Sequence, residues 1–164
     1  MSSEAPTPTV RPATPADAPR VAEIWRSGWG DGHVGNVPQQ LVDARTDESF
    51  ATRAAERVGD TAVAVIGDDV AGFVMVVDDE VEQVYVSQDH RGSGVADALL
   101  TEAERKVRAN GHDAAWLAVV AGNARARRFY ERCGWVDQGA FVYEASDRAG
   151  SIAVPCHRYV KELD

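Results

Sequence analysis

Apolar positions along this chain fall into two rhythms, and each change of rhythm marks the end of one element and the start of another. Residues 10–12 read as a short first strand. Ala18, Val21, Ile24, Trp25 and Gly28 then keep helical spacing. Thr14-Pro15-Ala16-Asp17 supplies the start of that helix: a capping hydroxyl, a proline at the first helical position and an acid in the first turn. The pattern predicts that the helix fails in Gly28-Trp29-Gly30-Asp31-Gly32-His33, which is too rich in glycine to stay helical, and that a loop follows to about Pro38. A second, less regular helical stretch is expected between Gln39 and Val58.

The period then shortens to that of strands. Residues 62–66 are continuously apolar, Gly67-Asp68-Asp69 is a tight turn, and residues 70–77 form the paired strand. After Asp78-Asp79 comes a third strand at residues 81–86, so the three make an antiparallel meander. Helical spacing returns with Val95, Leu99, Ala103 and Val107, with Leu100 beside them, and Asn110-Gly111 stops the helix. Glu102–Lys106 and Glu104–Arg108 are expected as i,i+4 pairs on its outer face. Residues 114–120 are a buried strand that follows a strand–helix crossover and should therefore run parallel to 81–86. Asn123 caps a short helix with Ala126, Phe129, Tyr130 and Cys133 inward, and Gly134 ends it. Residues 135–144 and 152–160 are two last strands around a polar loop at 146–150. The order predicts an α/β (α+β) fold, a mixed, mostly antiparallel sheet with helices on both faces. Residues 1–9, rich in Ser, Pro, Thr and Glu, read as a disordered tail, and residues 10–164 as one domain.

Composition narrows the partners. Asp and Glu outnumber Lys and Arg 26 to 17, which argues against nucleic-acid backbones and anionic membranes. The excess suits a cationic amine, though solubility alone explains it more simply. Cys133 and Cys156 do not make a disulfide framework and read as buried free thiols of a cytosolic protein. No N-terminal apolar signal and no apolar run near 18 residues is present, so a soluble, cytoplasmic protein is expected.

The chemistry concentrates in residues 84–96, Val-Tyr-Val-Ser-Gln-Asp-His-Arg-Gly-Ser-Gly-Val-Ala, which read as strand, glycine-rich turn and helix start. Glycines let backbone N–H groups approach a ligand, and a helix start leaves N–H donors unpaired at its positive end. Together they make an anion site, most often for phosphate or pyrophosphate. No lysine follows the turn, which excludes a nucleotide-hydrolase P-loop, and Asp97 stands where a dinucleotide fingerprint needs a third glycine or alanine. Arg91-Gly92-Ser93-Gly94-Val95-Ala96 fits Arg-x-x-Gly-x-Gly/Ala. It closely resembles the pyrophosphate loop of the GNAT superfamily, the Gcn5-related N-acetyltransferases. The resemblance continues through Ala115-Trp116-Leu117-Ala118-Val119 and from Asn123 to Trp135, with Asn, Phe-Tyr-Glu and Gly-Trp at the family's spacings.

That resemblance implies roles. The strands around Val84–Val86 and Ala115–Val119 would splay and pair with the amide-rich arm of coenzyme A. Coenzyme contacts would run along Val84, Tyr85 and Val86 and over Arg91, Gly92, Ser93, Gly94, Val95 and Ala96, with Asn123 close by. An amide at Val84 or Val86 would stabilise the oxyanion. Tyr130 stands where the family places a general acid; a buried core aromatic is the plainer alternative. Glu82 is the preferred base, acting directly or through water. Glu80, two residues earlier on the same strand face, competes with it, and both also read as surface carboxylates. Trp25, Trp29 and His33 lie where the family builds its acceptor pocket, and core packing competes for Trp25. His157 reads as structural. Members that acetylate protein N-termini carry Glu where this chain has Ala118. The implied protein is an acetyl-CoA-dependent N-acetyltransferase that needs no metal and acts on the primary amine of a small molecule by direct attack on the thioester. A non-catalytic acyl-CoA sensor and a peptide N-terminal acetyltransferase are the alternatives. Homodimers are common in the family, but no residue here argues for one.

Overall fold

The computed structural model describes residues 7–147 and 150–163. Of the tail expected to be disordered, residues 1–6 lie outside these, and Thr9 already belongs to the first strand. The strands are Thr9–Pro12 (β1), Thr61–Ile66 (β2), Asp69–Val77 (β3), Glu80–Val86 (β4), Ala114–Val120 (β5), Val136–Asp147 (β6) and Gly150–Glu162 (β7). They form one sheet in the order β1-β2-β3-β4-β5-β7-β6. Every neighbouring pair is antiparallel except β4 and β5, which run parallel as the crossover requires. β6 and β7 are longer than expected and pair as far as Asp147↔Gly150; of the polar loop expected at 146–150, residues 148 and 149 lie outside the described residues.

Helices Ala18–His33 (α1), Gln39–Ala44 (α2) and Asp47–Glu56 (α3) precede β2, Val95–Ala109 (α4) joins β4 to β5, and Ala124–Arg132 (α5) follows β5. The single helical stretch expected at 39–58 is two helices. Thr46 divides them because its hydroxyl accepts the Ser49 N–H at 3.1 Å and starts a new helix there. One sheet face packs Trp25, Trp29, Phe50, Phe73 and Met75 under α1 and α3. The other packs Leu99, Val107, Leu117, Trp135 and Tyr159 under α4 and α5. Among the described residues no helix is long and apolar enough to cross a membrane.

The largest departure from the sequence reading is in α1, which does not fail at Gly28 but runs on to His33. A Cβ on Gly28 would overlap the Tyr85 ring, and one on Gly32 would stand 2.7 Å from Nδ2 of Asn123. These glycines are contact points where the helix presses on β4 and on the start of α5. Packing of Trp25 and Trp29 outweighs the helix propensity that they forfeit. Two smaller corrections concern side chains. Glu102 pairs with Arg105 at 2.5 Å and Glu104 with Lys161 at 3.2 Å, instead of the i,i+4 partners. Cys156 is buried, but Cys133 is only half-buried.

Candidate active site

The site begins as a fault in the sheet. β4 and β5 register only at Glu80↔Trp116, where the Trp116 N–H donates to the Asp79 carbonyl at 3.1 Å. Beyond that point the two strands part. Ser87 N–H donates to Ala71 O at 2.8 Å, and the antiparallel ladder alternates back from there. Tyr85 therefore turns its peptide groups to β3, while Val84 and Val86 turn theirs into the gap. Across the gap, Ala121 N–H donates to Pro155 O at 3.1 Å, and the same alternation leaves Ala118 and Val120 facing β4. Two strand edges thus face each other without pairing, and a cleft of about 1050 Å³ opens between them.

The Arg91–Ala96 turn closes one end of the cleft. Gly92 and Gly94 sit at φ +80° and +82°, a backbone state that side chains resist, and a Cβ there would meet nothing within 4 Å. Conformation, not space, demands these glycines. The first N–H to close the helix is that of Ala98, onto Gly94 O at 3.1 Å. From residue 92 to residue 97, no backbone N–H has an acceptor among the described residues. These free amides at a helix start form an anion cradle. The turn is held from outside: Arg91 pairs with Asp31 of α1 at 3.1 Å, His90 meets Asp69 at 2.6 Å, and the Ser93 hydroxyl donates to His90 O. Arg91, expected beside a phosphate, thus has a carboxylate partner.

Tyr130 lines the cleft from α5, among Phe129, Trp135 and Tyr159. Its hydroxyl has no hydrogen-bond partner among the described residues, whereas Tyr159 donates to Glu131 at 3.3 Å. Burial pushes the Tyr130 phenol above its ordinary range, so it keeps its proton. Asn123 accepts the Ala126 N–H at 3.2 Å, as a cap should, and also lines the cleft. Both candidate bases line it as well. Glu82 accepts from Arg57 at 2.7 Å, an ion pair that engages its charge. Glu80 accepts the Tyr143 hydroxyl at 2.7 Å, and burial raises its carboxyl despite that bond.

The far half of the cleft is built by the end of α1. Trp29 and His33 line it, stacked at 4.5 Å with their planes 9° apart. His33 Nδ1 lies 2.9 Å from the Trp29 carbonyl and must donate to it, leaving Nε2 as an acceptor. Burial lowers this imidazole to about 4, so it is neutral near pH 7. Trp25 is not part of the lining: at 0% exposure it belongs wholly to the core, edge-on to Phe50. Its ring instead carries Arg53, whose guanidinium lies 4.5 Å above it and lines the cleft. His157 faces away, its Nδ1 3.0 Å from Asp137.

A profile of the acetyltransferase (GNAT) family matches residues 19–135. The chain belongs to that family. No curated protein matches it by sequence. Solved structures share its fold at low identity. A GCN5-related N-acetyltransferase from Rhodopseudomonas palustris is 21% identical with a TM-score of 0.74, over 99% of this chain and 100% of that one. PaiA N-acetyltransferase from Thermoplasma acidophilum, solved with coenzyme A, is 16% identical with a TM-score of 0.70, over 96% and 99%. The yncA protein of Salmonella typhimurium, solved with its cofactor acetyl-CoA, is 18% identical with a TM-score of 0.68, over 96% and 95%.

In this GNAT N-acetyltransferase the cleft gathers Val84, Tyr85, Val86, Arg91, Gly92, Gly94, Val95, Ala96, Asn123, Tyr130, Glu82, Trp29 and His33, all expected from the sequence, whereas Ser93 and Trp25 are not in its lining. Tyr85 contributes its ring rather than its peptide. The sequence reading missed Arg45, Arg53, Tyr143 and Cys156, which also line the cleft. Gly28 and Gly32, four apart and interleaved with Trp25, Trp29 and His33 at the same interval, were a legible sign of a helix pressed against a neighbour.

Proposed function

We propose that this chain transfers an acetyl group from acetyl-CoA to the primary amine of a small molecule by direct attack on the thioester. The observation that carries the reading is the continuity of unpaired backbone donors. The free amides of residues 92–97 suit a diphosphate, and the edges at Val84, Val86, Ala118 and Val120 suit the alternating amides of a pantetheine arm. The residues present therefore fit coenzyme A, as the bound ligands of PaiA and yncA would suggest.

The chain's own groups then divide the work. A peptide N–H at Val84 or Val86 donates to the thioester oxygen as the amine attacks. Glu80 takes the proton of the incoming ammonium. Its raised carboxyl suits this better than Glu82, which Arg57 holds as an ion pair. Tyr130 donates its free hydroxyl to the leaving sulfur. A phenol above its ordinary pKa of about 10 gives up its proton uphill, so the first contribution is a hydrogen bond and full transfer comes later. Ala118 stands where family members that acetylate protein N-termini carry Glu, which counts against that subtype.

The test is release of coenzyme A thiol from acetyl-CoA across a panel of primary amines and short peptides. The account expects amine-dependent release with small amines ahead of peptides. Tight acetyl-CoA binding with no amine-dependent release would make the chain a sensor instead.

A further inference from the structure

The acceptor half of the cleft holds a cation with no ion-pair partner among the described residues. Arg53 projects from α3 and lines the cleft. It has no ion pair and no hydrogen bond among the described residues. Its guanidinium carbon lies 4.5 Å over the Trp25 ring, a cation–π contact that holds the group in place. None of its five N–H donors has a hydrogen-bond partner among the described residues. The nearby carboxylates are occupied: Glu82 by Arg57 at 2.7 Å, and Glu80 by Tyr143 at 2.7 Å.

The surroundings make the excess sharper. Burial lowers the Arg53 guanidinium to about 10, and the charge of Arg45, which also lines the cleft, pushes the same way. The charge of Glu82 acts on Arg53 in the opposite sense, which puts it near β4. That is where Val84 and Val86 present their peptide groups. A half-buried cation thus shares the cleft with the unpaired edge of β4 in a protein whose net charge is −9. A guanidinium with N–H donors to spare matches a carboxylate through two parallel bonds.

We propose that Arg53 is the acceptor's carboxylate clamp, so that the amine acetylated by this protein belongs to an amino acid. The proposal deepens the acetyl-transfer reading and rests on it for the fate of the amine, but not for the binding of the acid. Arg53 fixes one end of the acceptor while its amine lies toward Glu80 and the thioester. The contact with Trp25 sets the distance between the two.

The test pairs α- and ω-amino acids with the amines left on removing their carboxyl groups, each with excess coenzyme A or acetyl-CoA. Calorimetry reads binding, and thiol release reads transfer. The expected result is at least tenfold higher kcat/KM for the acid of a pair. Arg53→Gln should lower that acid-to-amine ratio at least tenfold, and Arg53→Lys should recover part of it. A ratio of one or less in the unaltered protein overturns the proposal, as does a ratio that Arg53→Gln leaves unchanged. The first criterion needs no variant, so a misfolded Arg53→Gln does not shield the idea. If acids bind through Arg53 without releasing thiol, the clamp stands and the acetyl-transfer reading falls. If amines are acetylated with no preference for acids, the reverse holds.

Discussion

Tyr130 and His33 show how far single side chains are set by where the backbone holds them. Tyr130 lines the cleft, its hydroxyl without a partner among the described residues, beside a ring cluster that holds the phenol in place. Tyr130→Phe removes one oxygen and leaves that packing intact. It should lower kcat by about 100-fold, within the usual range for a lost general acid, with little change in coenzyme affinity. Steady-state kinetics with calorimetric titration of acetyl-CoA measures both, and unchanged turnover would return Tyr130 to the core. His33 makes a different prediction. Its imidazole is lowered to about 4 by burial, while an unfolded histidine titrates near about 6.5. Between these values the unfolded chain binds a proton that the folded one refuses, so stability is lost as pH falls through that window. Thermal melting from pH 7 to pH 5 should show a smaller drop in His33→Gln than in the unaltered protein. His112, raised by Asp78, tilts the dependence the other way, and comparison with the variant removes its contribution. Equal slopes would mean that His33 titrates normally.

Among elements, α1 carries the clearest lesson. Sequence propensity stops it at the glycines, because glycine costs a helix roughly 1 kcal/mol a residue. Tertiary contact overrides that cost: Gly28 lies against Tyr85 and Gly32 against Asn123, so a side chain at either would prise the helix off the cleft. Gly30, on the same helix, has nothing within 4 Å of its would-be Cβ. The two positions should respond with opposite sign. Gly30→Ala should stabilise by about 0.5–1 kcal/mol, through propensity alone. Gly28→Ala should destabilise by about 1–3 kcal/mol, through overlap with a buried ring. Denaturant unfolding measures both, and a stabilising Gly28→Ala would contradict the account of why α1 is glycine-rich. Elsewhere the elements were plain in the sequence. The α4 repeat of Val95, Leu99, Ala103 and Val107 and its stop at Asn110-Gly111 are local signals, and the structure ends that helix at Ala109. The α2–α3 break was missed because its signal is one Thr46 cap inside an irregular stretch.

At the scale of the molecule, the crossover from β4 through α4 to β5 fixes the site, and it was readable because handed strand–helix–strand connections leave few choices. The half of the cleft proposed for coenzyme is nearly contiguous in sequence, from Val84 to Ala96, and so was legible. The acceptor half was not. It is assembled from α1, α3, β6 and β7, where Trp29, Arg53, Tyr143 and Cys156 stand far apart in the chain and meet only once the sheet has formed. The parting of β4 and β5 likewise has no local signature; it appears only as a ladder that stops after Glu80↔Trp116. The central claim is that this fault and the turn beyond it grip one thioester carrier by its backbone-like arm and its diphosphate. A crystal structure with coenzyme A bound tests it most directly. The account predicts diphosphate oxygens within about 2.7–3.2 Å of several amides between residues 92 and 97, and the pantetheine arm paired with Val84 or Val86. A diphosphate bound away from that turn, or an arm lying outside the gap between β4 and β5, would contradict it.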